Sequence, residues 1–216
     1  MIRRPPRSTH CISSAASDVY KRQGVDRTAL CAVELRCPQP HSFAGFIGFN
    51  DEYRALLDDW GLLNGDDNPI ARTNVAPVHH PPGETALHAF SYVKQSDSAV
   101  ESFVVAGAGD LMDQGDLQPS SIVARDLDGG DAWRLRIEQV CQEMEDRMTA
   151  IGVGWNDCSV IDVYCAEDWF GQAGDTLINR VGTSISVGLH WYVAHPPIEG
   201  LRFEMDVRRV GTEKTV

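Results

Sequence analysis

The order of periodic segments predicts an α+β fold: a two-layer sandwich in which a mixed β-sheet carries two helices on one face. Two segments carry the prediction. Ile137, Val140, Cys141, Met144, Met148 and Ile151 recur at the spacing of one helix face. Leu201, Phe203, Met205 and Val207 alternate with Arg202, Glu204, Asp206 and Arg208, the period of a strand with one apolar and one polar side.

In chain order, the apolar runs Ala29–Val33 and Phe43–Phe49 read as two strands, separated by Pro38 and Pro40. A short helix is expected over Glu52–Leu63, with Tyr53, Leu56, Leu57 and Trp60 at helical spacing and Gly61 and Gly65 ending it. Residues 64–83 are punctuated by Pro and Gly and read as a connector. Ala86–Val93 and Ser102–Ala106 read as strands joined by the polar turn KQSDSA, and Gly107-Ala108-Gly109 after them calls for an unusual backbone. Asp131 is the expected cap of the long helix and Gly152 its stop. Ser159–Cys165 is a strand, a helix lies within Asp168–Val181, and Gly188–Ala194 is a strand broken by His195-Pro196-Pro197. Leu201–Arg208 closes the pattern. Its polar side needs a cover, which the pattern assigns to oligomerisation.

The chain has 216 residues, 43% of them apolar, enough for a real core. Its net charge of −12 argues against nucleic acid as a partner, because phosphate contacts need a basic surface. No apolar run approaches a membrane span. Six Cys without paired spacing read as cytosolic thiols, and the expected location is cytoplasmic. Residues 1–23 are basic and Ser-rich, with no apolar core for a secretory signal. They resemble translated sequencing-adapter DNA, of the kind that contaminates metagenome gene models. The expected organisation is therefore an artefactual leader over 1–23, an extension over 24–77 and a main domain over 78–216.

Three strings within the main domain carry a resemblance: SFVVAGAGDL, IEQVCQEMEDRMTAIGVGWNDCSVIDVYCAEDWF and HPPIEGLRFEMDVRRV. Their order and spacing resemble the Rid/YjgF (RidA-like) family of imine and enamine deaminases, over about residues 78–210. The resemblance implies a chorismate-mutase-like fold, a homotrimer with active sites at the subunit interfaces, a small-molecule substrate and no cofactor or metal. It implies that Glu204 handles the hydrolytic water. The family's carboxylate-gripping Arg falls here on Leu189 or His190, so it is absent. His190, Arg180 and Arg202 are the available replacements, and Gly107 and Ala108 can offer backbone N–H groups.

Two other readings stay open. Chorismatases share this implied fold and a comparable Glu, although their Gly-Thr-Ala turn is here Ala106-Gly107-Ala108. A trimeric metabolite-binding protein without catalysis is the third. Other clusters have plainer explanations. His79 and His80 point to opposite sides of an extended chain. Asp58, Asp59, Asp66 and Asp67 lack cation-loop spacing. Cys158 and Cys165 have no second pair at zinc spacing, and no nucleophile-elbow motif is present.

Overall fold

The structure, a computed structural model, describes residues 26–97 and 99–214; the leader assigned to residues 1–23 lies outside them. Among these residues the fold is α+β, with two four-stranded sheets and three α-helices where the sequence predicts one sheet with two helices. The first sheet contains β1 (Leu30–Arg36), β2 (Ala71–Pro77), β3 (Ala86–Tyr92) and β7 (Ala194–His195), in the order β3-β1-β2-β7. The second contains β4 (Phe103–Gly109), β5 (Val160–Tyr164), β6 (His190–Tyr192) and β8 (Glu204–Arg209), in the order β4-β8-β5-β6. Both are mixed. β1 runs parallel to β2 and antiparallel to β3; β5 runs parallel to β6 and antiparallel to β8.

The largest departure from the sequence reading is α1 (Phe43–Asp59), which replaces the predicted strand Phe43–Phe49 and starts the predicted helix nine residues early. Ser42 caps it by accepting a hydrogen bond from the Gly45 N–H. Phe46, Phe49, Tyr53, Leu56, Leu57 and Trp60 then form one helical stripe, so the apolar run has helical rather than strand period. From Phe49 onward this stripe packs on Leu30, Val33 and Leu35 of β1, while Phe46 packs against Leu111 and Leu201. The connector read at 64–83 contains β2, whose Thr73, Asn74, Val75 and Ala76 are all buried. Two of those four are polar, which hides the strand from a hydrophobic pattern. β3 pairs with β1 rather than with β4, so the hydrogen-bonded sheets divide between Tyr92 and Phe103.

The second half follows the sequence more closely. α2 (Gly130–Ala150) has Gly129 rather than Asp131 at its cap, at φ 87°. Its buried face includes Trp133, Ile137, Val140, Cys141, Met144 and Met148, whereas Ile151 has left the helix and is exposed. α3 (Phe170–Val181) breaks helical geometry at Ala173. Both helices cover the apolar face of β8, where Phe203, Met205 and Val207 are buried. Burying each such side chain contributes about 1.5–3 kcal/mol. The predicted strand Gly188–Ala194 divides: β6 belongs to the second sheet and β7 to the first, so the chain crosses between sheets at residue 193.

The sheets therefore lie face to face, with α1 outside the first and α2 and α3 outside the second. The polar side of β8, assigned from sequence to a subunit interface, is covered by the chain's own first sheet. Thr73 of β2 reaches Asp206 of β8, and Glu34 of β1 lies 3.7 Å from Arg208. Among the described residues no helix is long and apolar enough to cross a membrane.

Candidate active site

Strand alternation sends Glu204, Asp206 and Arg208 of β8 into the layer between the sheets. All three are at most 7% exposed. Arg208 Nη1 donates to Asp162 Oδ2 at 2.5 Å and lies 3.4 Å from Asp206 Oδ1. Burial works against its charge, but Asp162, Asp206 and Glu34 outweigh it and raise its pKa. Asp206 Oδ2 accepts from Thr73 Oγ1 at 2.8 Å and from Tyr164 Oη at 2.9 Å. Burial, with Asp162 and Glu34 beside it, still pushes Asp206 up to about 7. A narrow cleft opens here, lined by Glu34, Arg72, Thr73, Phe90, Asp206 and Arg208 among others.

Glu204 is the least satisfied member. It is 3% exposed, and its Oε2 is buried without a hydrogen-bond partner. Burial holds its pKa well above the ordinary carboxylate range, Asp206 adds to that, and Arg147 and Arg72 pull the other way. Burial thereby favours the protonated form of this carboxyl. An unpartnered, protonated carboxyl is a proton donor, and its conjugate base can accept a proton from water.

Gly107 is brought directly against Glu204. It sits in the irregularity of β4 between Val105 and Ala108. A Cβ there would lie 2.4 Å from Glu204 Oε1 and 3.1 Å from the Thr73 side chain. The glycine is required by this close approach, not by the unusual backbone expected for 107–109, since none of the three has positive φ. Arg147 of α2 donates to the carbonyls of Ala106 and Gly107 and ties the bulge to the helix.

The other candidates lie elsewhere. Ala108 is 1% exposed and packs in the core under α2 and α3, because the bulge turns its side chain away from the cleft. Arg202 precedes β8 and escapes its alternation. It pairs with Asp128 at 2.6 Å and with Glu167, over the Trp133 ring. Its charge is committed on the helix side of the sheet. Arg180 is likewise committed, to Glu145 and Gln142 between α3 and α2. The His190 side chain is 60% exposed, with Nδ1 2.9 Å from Asp162 Oδ1. It reaches Asp206 only through the Asp162–Arg208 chain.

Sequence reasoning missed Thr73, Glu34, Arg72 and Arg147, which lie on segments read as extension, connector or helix surface. Asp206 and Arg208 were visible in the polar face of the last strand. The thiols have no comparable role: burial pushes Cys141 and Cys165 up to about 12 and Cys158 to about 11.

A buried carboxyl pair, one member of which lines a polar cleft, with no activated thiol among the described residues, marks a candidate site for acid–base chemistry. The chain belongs to the 2-aminomuconate deaminase CnbZ family, which matches residues 10–214. That match begins inside the stretch resembling adapter sequence. It supports the deaminase class that the Rid/YjgF resemblance implies, while the family it names is CnbZ. The chain is 36% identical over 187 residues to a 2-amino-5-chloromuconate deaminase of Comamonas testosteroni, covering 86% of this chain and 74% of that one. A solved chorismatase covers 97% of this chain and 72% of its own at 10% identity, with a TM-score of 0.49.

Proposed function

We propose that this protein hydrolytically deaminates a 2-aminomuconate-type substrate, a short conjugated dicarboxylate bearing an enamine, with Glu204 as its acid–base group. The observation that carries the reading is the Glu204 carboxyl, buried and raised in pKa, with Oε2 unpartnered, in a chain of a deaminase family.

The chemistry follows from that protonation state. Glu204 gives its proton to a carbon of the enamine, and the nitrogen lone pair forms the C=N bond of an iminium. The resulting carboxylate takes a proton from water as the water oxygen bonds to the iminium carbon. The carbinolamine then loses its nitrogen as ammonia, leaving a ketone. One water is consumed and one ammonia released, with no change of oxidation state. Burial favours the protonated form of Glu204 before the first step, and Asp206 beside it adds to this. Thr73, Tyr164 and Arg208 hold Asp206 in place. General acid–base catalysis of this kind contributes about 10²–10⁴-fold in rate.

The test is ammonium release from freshly generated 2-aminomuconate by the purified full-length chain, against a 2-aminoacrylate control. Ammonium release well above the spontaneous rate with the dicarboxylate supports the reading. A rate equal to the spontaneous one removes it.

A further inference from the structure

Outside the carboxyl pair, a half-buried guanidinium has no carboxylate partner among the described residues. Arg72 follows the alternation of β2, so Thr73 points to the second sheet and Arg72 and Asn74 to the α1 side. The Arg72 guanidinium carbon lies 5.6, 5.2 and 4.6 Å from the ring centres of Phe46, Phe49 and Tyr53. Its Nη2 donates to Asn50 Oδ1 at 2.5 Å. Among the described residues no carboxylate forms an ion pair with it. Asn74 is 3% exposed, and neither its Oδ1 nor its Nδ2 has a hydrogen-bond partner. The His41 ring stacks on Phe49 at 5.3 Å, with its Nε2 also buried and unpartnered.

Buried charges are normally paired, and buried amides normally bonded. Here the buried Asn74 amide is unbonded, and the half-buried Arg72 beside it on the same face has a neutral partner, Asn50, in place of a carboxylate. Burial lowers the Arg72 pKa, and Glu204 is among the groups that offset this, so the two feel each other's charge. Arg72 also lines the cleft that holds Asp206. Three aromatic rings fix the guanidinium plane in advance, which suits a planar, conjugated carboxylate.

We infer that Arg72, assisted by Asn74, is the carboxylate-binding group of the site, taking one end of a short conjugated dicarboxylate. The inference rests on the deaminase reading for the identity of that ligand. It assigns the carboxylate contact to α1 and β2 of the first sheet, rather than to His190, Arg180 or Arg202. Arg72 is a binding residue here, and Glu204 acts on the other end of the same molecule.

The test is calorimetric titration at one pH with cis,cis-muconate, the dicarboxylate without an amino group, and with the monocarboxylate sorbate. Wild type should bind muconate. Arg72→Ala should weaken it about 10- to 150-fold, the span of a charged hydrogen-bonded contact. Arg72→Lys should recover part of that affinity, and Asn74→Ala should lose less than Arg72→Ala. Should Arg72→Ala fail to fold, Arg72→Lys decides, with binding below wild type expected. Undiminished muconate binding in a folded Arg72 variant, or none in wild type, overturns the inference. Muconate binding that depends on Arg72, without ammonium release by wild type, upholds this site and removes the deamination. Ammonium release with Arg72-independent binding does the reverse.

Discussion

Thr73 and Asp206 are 133 positions apart in sequence, and a 2.8 Å hydrogen bond joins them across the two sheets. It links a residue of the supposed connector to the polar face of the last strand. Because Thr73 and Tyr164 both donate to the same Asp206 oxygen, that carboxylate is fixed, while Glu204 two residues earlier is left with a free oxygen. The division of labour between the two acids follows from this. On the proposed reading Asp206 is held and polarising, and Glu204 exchanges the proton.

Gly107→Ala should disable the site at a moderate cost in stability. The added Cβ meets Glu204 Oε1 at 2.4 Å and the Thr73 side chain at 3.1 Å, so the carboxyl must move. Overpacking of this kind costs about 1–3 kcal/mol. Gly109→Ala is the matched control, since its Cβ meets chiefly the flexible end of Leu201 at 2.7 Å. The expected outcome is a larger fall in kcat for Gly107→Ala than for Gly109→Ala, read by steady-state ammonium release beside thermal melts. Equal kcat in both would show that Glu204 does not depend on this approach.

Stability should fall as pH rises through the neutral range. Burial raises Asp206 from 3.8 to about 7, Asp110 from 3.8 to about 6, and Glu204 well above its ordinary value. The folded chain binds these protons more tightly than the unfolded chain. Their contribution is therefore fully present below about pH 4 and is lost as pH rises through 6 and 7. Asp206→Asn removes one such group, so its melting temperature should gain on wild type between about pH 5 and pH 9. Parallel curves for the two proteins would show that Asp206 titrates normally.

Arg208→Leu should be among the most destabilising single changes between the sheets. Arg208 is 7% exposed and sits among Asp162, Asp206 and Glu34. Removing one partner of a buried ionic cluster costs about 3–5 kcal/mol, because the remaining charges stay buried. Urea denaturation measures this, and a loss below about 1 kcal/mol would contradict the reading of the inter-sheet layer.

Arg202→Ala and His190→Ala should leave turnover nearly unchanged. Arg202 is bound to Asp128 and Glu167 on the helix side, and exposed pairs contribute only about 0–1 kcal/mol. His190 is largely in solvent and touches the site only through Asp162. A tenfold rise in KM for either variant would return it to the substrate contact.

The second half of the fold was legible because its elements obey one period each. α2 and β8 show clean 3.6- and 2-residue repeats, which place Glu204 on a polar strand face; the family resemblance, not the period, singled it out. The first half was not legible for physical reasons. The stripe from Phe46 to Trp60 begins as a dense apolar run, which reads equally as strand or helix until Ser42 is seen to cap it. β2 buries Thr73 and Asn74, residues that a hydrophobic pattern discards, and it is bounded by Pro69 before it and Pro77 at its end. Arg202 shows the opposite failure: its alternation with Glu204 is real in sequence, but β8 begins only at Glu204.

The most direct measurement of the central claim is single-turnover ammonium release from 2-aminomuconate by wild type and Glu204→Gln, with folding of both checked by circular dichroism. Gln keeps the size of the side chain and removes the transferable proton. A fall of about 10²–10⁴-fold in Glu204→Gln, with muconate affinity retained, is the predicted result. A variant that turns over within a few-fold of wild type would contradict the assignment of proton transfer to Glu204.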